Sequence, residues 1–254
     1  MTTKIVKRDE LTNFLASELD ITRFRDYCPN GLQVEGKDTV GVIISGVTAS
    51  IALLEAAIDA GADAVIVHHG YFWRGEDPRV VGPLKRRLQL LLEHDVNLYA
   101  YHLPLDSHAV MGNNAQLGSI LKFQALSRFG DQDIGWLGRI QSGLNTAGEL
   151  AKHIEKTLGR SPMLIRDPNK PVRQVAWCTG AAQSMFGDAI AAGADVYISG
   201  EISEQTVHLS LESEIPYLAC GHHATERYGV KALGESVAKQ FGIRHHFIDI
   251  HNPV

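Results

Sequence analysis

The chain has 254 residues, 44% apolar and 21% charged, with a formal net charge of −5. That is long enough for one large α/β domain or two smaller ones with a substantial core. No block of like charge runs far, so a polybasic membrane anchor is absent and a basic stripe for nucleic acid is not visible, although a local basic lining stays compatible with the composition.

MTTKIVKRDELTNFLASELD reads straight into an amphipathic helix and lacks the apolar centre of a secretory signal. No apolar run approaches the roughly 18–20 residues that span a bilayer. Cys28, Cys178 and Cys220 are odd in number and far apart. A disulfide framework is therefore not expected, and a cytoplasmic location is.

TVGVIISGV (39–47) reads as a strand, TASIALLEAAIDAGA as a helix, and DAVIVHH as a second strand. After a charged, proline-bearing segment come a helix in VVGPLKRRLQLLLEHD and a strand in VNLYAYHLPLD. This β-α-β-α-β order predicts a mostly parallel sheet covered by helices. A helix is expected at 114–122 and another at 147–158, with a domain junction around 125–145.

RQVAWCTGAAQSMFGDAIAAGADVYISGE (173–201) then repeats the grammar of 40–68: strand, small-residue turn, helix, AGAD, strand. A third strand follows in each copy, one ending at His102 and the other at His222. An internal duplication accounts for this, giving two similar α/β units. The competing account is that AGAD is a common helix-to-strand turn that occurs twice.

Three polar clusters fall just beyond strand ends, where open parallel sheets bind ligands. They are His68 and His69, then His102 and Asp106 in YHLPLD, then His222, His223 and Glu226 in GHHATER. A helix starting near His222 makes His222 and Glu226 i,i+4 neighbours on one face and turns His223 elsewhere, toward an indirect hydrogen bond. Two adjacent imidazoles suit two ions, and Asp106 can bridge them. His68, His69, Asp106, His222 and Glu226 are thus candidate ligands of a dinuclear centre. Two cations roughly 3.5–4 Å apart acidify water near neutral pH. Nitrogen and oxygen donors favour two divalent ions among Fe, Mn, Zn, Co and Ni.

Each cluster also has a plain reading. The His pair could be ordinary surface, Asp106 a helix cap ahead of NNAQL, and Glu226 a first-turn acid. His245 and His246 lie in a probable strand, IRHHFIDI, and read as one packed ring and one exposed. Cys178 and Cys220 read as core residues, and Ser50 and Ser184 as turn or cap residues. No P-loop, GxGxxG or GxSxG is present.

DYCPNGLQVEG, GVTAS, ADAVIVHHGYFW, YHLPLD, GNNAQL, VAWCTG, SGEISEQTVH, GHHATER and FIDIHNP resemble the Nif-three-like family, whose members carry the label GTP cyclohydrolase 1 type 2 homologue. The resemblance implies an α/β fold of two similar, interlinked three-layer domains with mostly parallel sheets and a dinuclear metal site in the cleft between them. Domain one would be 1–125 plus about 227–254, its C-terminal strand returning, and domain two 126–226. The family's ligands fall on His68, His69, Asp106, His222 and Glu226, and His102 matches a nearby histidine in an outer-sphere or proton-shuttle role. A toroidal homohexamer is implied as well.

The resulting expectation is a hydrolase using metal-bound water or hydroxide on a small molecule, with a nucleotide such as GTP a candidate through cyclohydrolase-type ring opening. No guanine-reading or triphosphate-binding motif is evident. The alternative is a non-catalytic hexameric metal-binding scaffold or adaptor. Action on nucleic acid is a third reading, against which the acidic net charge argues mildly.

Overall fold

A computed structural model describes residues 4–140 and 143–254. The chain divides into two units, one running to Gly112 and including Gly229–His251, the other Asn113–Tyr228 with Asn252–Val254. Among the described residues, no helix is long and apolar enough to cross a membrane.

In the first unit, β1 (Val6–Lys7) leads into α1 (Arg8–Glu18), which buries Leu11 and Leu15 one turn apart. There follow β2 (Gly31–Val34), β3 (Thr39–Val40) and β4 (Val42–Thr48). The Ser50 hydroxyl caps α2 (Ile51–Asp59) by accepting from the Leu53 amide. The remaining elements up to Gly112 are β5 (Ala64–His69), α3 (Gly82–Glu93), β6 (Asn97–Ala100) and α4 (Leu103–Ser107).

The second unit holds α5 (Asn113–Ile120), β7 (Phe123–Phe129), β8 (Gly135–Ile140), α6 (Ala147–Leu158), β9 (Met163–Ile165) and β10 (Gln174–Cys178). It continues with α7 (Phe186–Ala191), β11 (Val196–Ser199), α8 (Glu204–Ser213) and β12 (Tyr217–Ala219). The division between units falls within α9 (His222–Phe241), after which β13 (Arg244–Phe247) joins the first sheet.

The first sheet has the order β13-β4-β5-β6-β2, parallel except for β2 at one edge. Its central strands are mostly apolar because both faces are covered. Ile43, Ala64, Ile66 and Tyr99 join Leu11, Leu15, Val230, Leu233 and Val237 on one face. Ile44, Val65, Val67 and Leu98 join Leu53, Leu54 and Leu91 on the other. This alternation reaches the end of β5, so His68 continues the row of Ala64 and Ile66 while His69 continues that of Val65 and Val67. Residues 245 and 246 differ as the sequence suggests. His245 is partly buried, its ring against Gly234 and its Nε2 2.7 Å from the Ser45 hydroxyl, and His246 is exposed.

The second sheet, β7-β8-β10-β11-β12-β9, corrects one expectation. Only β10, β11 and β12 run parallel, while β7, β8 and β9 are antiparallel to their neighbours. The reason is connection length: β7 and β8 are joined by a short turn, which permits only an antiparallel pair. The expected division at 125 also differs. Residues 113–125 belong to the second unit, because α5 packs its Gly118 on Trp177 and buries Leu117 with Trp177, Val175 and Ile154. The terminal residues 252–254 group there too.

The repeated AGAD phrase has one physical job in both units. Asp63 takes the amides of Gly41 and Val42 at 2.9 and 3.1 Å. Asp195 takes those of Arg173 and Gln174 at 3.0 and 2.8 Å. In each case the carboxylate closing a helix-to-strand turn clamps the start of the neighbouring parallel strand.

Candidate metal centre

His68 is fully buried, and its Nδ1 lies 2.8 Å from the Tyr101 carbonyl oxygen. A carbonyl only accepts, so Nδ1 carries the hydrogen and Nε2 presents its lone pair. That Nε2 is 3.4 Å from a carboxylate oxygen of Asp106, itself buried. Two electron-pair donors this close in a buried place require a positive charge near them, either a proton or a metal ion.

His69 is half-buried, with its Nδ1 3.2 Å from the Thr48 hydroxyl and its ring centroid 4.5 Å from that of His68. His102 completes a group with these two, ring nitrogens of all three lying within 4.8 Å of one another. The turn after β5 is built to hold this arrangement. A side chain on Gly70 would run into Gln33 and Ala100. Gln33 donates to the Tyr71 carbonyl and accepts from its amide. Trp73 lies edge-on to His102 at 4.9 Å.

His102 is oriented by Asp26, which the sequence reading did not single out. Its Nδ1 is 2.8 Å from one Asp26 oxygen, which also accepts from the Tyr27 amide, while the other accepts from Asn30 and the Leu103 amide. Burial pushes the Asp26 carboxyl up, but the hydrogen bond and charge of His102, with Asn30 and the Tyr27 amide, outweigh it and hold the pKa at about 2. A carboxylate on Nδ1 leaves Nε2 of His102 as the nitrogen able to take a proton. Cys28 is grouped with these two residues, yet burial, with Asp26 and Asp106 adding to it, pushes its thiol up to about 12. It stays protonated and is a poor ligand.

Asp106 sits inside α4 rather than at the head of α5, so it does not cap that helix.

In the second unit α9 begins at His222, and His222 Nε2 is 3.1 Å from the Glu226 carboxylate one turn along. His222 Nδ1 is 2.7 Å from Glu201, a second residue the sequence reading missed. Burial lowers the His222 pKa, but Glu226 and Glu201 raise it to about 9, so with no metal on Nε2 the charged ring carries a proton on each nitrogen, Nδ1 facing Glu201 and Nε2 facing Glu226. Gly180, at φ +67°, keeps space beside this pair. A Cβ there would strike the Glu226 carboxylate and come 3.2 Å from His222 Nε2. His223 is buried and its amide donates to the Val254 carbonyl.

These observations fit a metal. The first unit provides a buried carboxylate and imidazole nitrogens, with the His68 and His102 rings each held in one tautomer, and the second an imidazole–carboxylate pair beside a kept space. All are nitrogen or oxygen donors suited to first-row divalent ions. Residues 6–253 match the family described as Duf34/NIF3 (NGG1p interacting factor 3). A Pseudomonas aeruginosa protein named GTP cyclohydrolase 1 type 2 homolog is 54% identical, covering 92% of this chain and 94% of that protein. An Escherichia coli K12 protein of the same name is 47% identical, with coverage of 98% and 100%. A solved structure titled protein ybgI, of unknown function, superimposes with a TM-score of 0.93 at 46% identity, over 98% of this chain and 100% of that one. A Thermus thermophilus structure does so with 0.89 at 32%, over 98% and 100%. With a match along almost its whole length and relatives this similar, the chain belongs to the Duf34/NIF3 family.

Proposed function

We propose that this chain is a metal-dependent hydrolase whose ligands to two divalent ions are His68, His69, Asp106, His222 and Glu226, acting on a small molecule such as a nucleotide, with GTP one candidate. The observation that carries it is the His68 tautomer. With Nδ1 committed to the Tyr101 carbonyl, Nε2 meets the Asp106 carboxylate at 3.4 Å in a fully buried position, and a cation reconciles the two.

Divalent ions held there would supply Lewis acidity and lower the pKa of water. The chain's own contribution is orientation and proton handling. Tyr101 fixes His68, and Glu201 fixes His222 through Nδ1. Asp26 holds His102 so that Nε2 is the nitrogen that takes up or returns a proton.

The test is metal analysis of protein purified without chelators, followed by a hydrolysis screen of the loaded form. Asp106→Ala and Glu226→Ala should each lose metal and turnover while remaining folded. Less than one transition metal per chain, with no gain on reconstitution, overturns the reading. Full metal content without hydrolysis, and partner binding that survives metal removal, would favour the scaffold instead. A homohexameric ring is proposed as the assembly, and light scattering checks it.

A further inference from the structure

A cavity of about 450 Å³ lies wholly in the first unit, between the turn after β5 and the start of α3. His69, Trp73, Val81, Leu84 and Arg87 line it, together with two acids, Glu76 and Asp77. Its volume is toward the small end of the range for small-molecule sites.

The arginines around it are not equivalent. Arg79 is bound to Asp77 at 2.6 Å, and Arg86, one residue away on α3, to Glu55 at 2.8 Å. Arg87 meets no carboxylate among the described residues. Its guanidinium lies over the Tyr71 ring at 5.7 Å, and its Nε is buried without a hydrogen-bond partner. Tyr71 is itself committed, its hydroxyl donating to the Ala49 carbonyl at 2.7 Å. A half-buried arginine on an aromatic face, with a donor unmet, is a fork waiting for an anion.

We infer that this cavity is a substrate subsite for a small compound joining an anionic group to a planar ring, the anion on Arg87 and the ring beside Trp73. Held so, the rest of the molecule lies against His69, the one candidate metal ligand that lines the cavity. The substrate class narrows to ring compounds of mononucleotide size bearing a phosphate or carboxylate. The assignment rests on the hydrolase reading only for what happens at His69, and the binding itself does not need a metal.

The experiment therefore reads binding, by calorimetry on the full chain with and without added divalent metal. Its probes are guanosine 5′-monophosphate, guanosine, inorganic phosphate and benzoate. The nucleotide should bind more tightly than guanosine or phosphate alone, and Arg87→Gln should weaken it about tenfold to a hundredfold with metal content unchanged. Val81→Trp, an exposed position on the rim, should block it without touching the core. Benzoate bound in place of the nucleotide, with the same dependence on Arg87, assigns the carboxylate form of the class. Guanosine binding as well as its phosphate, no effect of either variant, or no binding by any probe overturns the inference. Metal loss with intact Arg87-dependent binding would defeat the hydrolase reading and leave the subsite standing.

Discussion

Replacing His245 with glutamine should flatten the acid limb of the stability curve. The wild-type ring is partly buried against Gly234, with Ser45 on its Nε2. Burial first, then the positive charge of His246 and Lys231, lowers its pKa from 6.5 to about 4. A depressed folded value means the unfolded chain takes the proton first. The contribution is therefore present above about 6.5 and is lost as pH falls toward 4. At 1.36 kcal/mol per unit, the linkage amounts to about 2 kcal/mol by pH 5 and about 3 kcal/mol by pH 4. Glutamine keeps a donor for Ser45 and cannot titrate. Urea unfolding of both proteins at pH 7, 5 and 4 gives the difference directly, since their other titrating groups are shared. Parallel curves for the two would refute the reasoning.

Gly180→Ala should cost about 1–2 kcal/mol for a left-handed backbone, and push the Glu226 carboxylate off His222; thermal unfolding together with metal analysis checks both. Asp63→Ala and Asp195→Ala should each destabilise by about 2 kcal/mol, because each removes one charged acceptor from two strand-initial amides. Denaturant unfolding measures this, and a neutral effect at either position would separate the two AGAD turns in role.

The parallel strands and their helices were legible because burial on both faces turns a strand into an apolar run, as in AVIV and VYIS. The bounds of α6 were legible for a local reason: Thr146 and Glu149 form a capping box and Gly159 ends the helix at φ 72°. The β7–β8 hairpin was not, since β7 is mostly exposed and offers no apolar period. The candidate histidine ligands stood out by following strand ends. Their supports did not, because Asp26 acts 76 residues from His102 and Glu201 acts 21 from His222, separations at which sequence carries no pairing signal. How His68 and His69 come together also needed the structure. Alternation persists, and the two rings meet although they start from opposite faces.

The return of β13 to the first sheet bears on how the protein is made. β4 leaves the ribosome about 200 residues before its outer neighbour exists, as the Ser45–His245 pairing shows. Through that interval the VIIS segment offers an open row of amides and carbonyls, the kind of edge on which nascent chains join one another. The second unit is almost one continuous stretch, so its core can close while the first still waits. A ribosome stalled short of Arg244 would thus present a sheet lacking its outermost strand, and Arg244–Phe247 are the residues that close that edge.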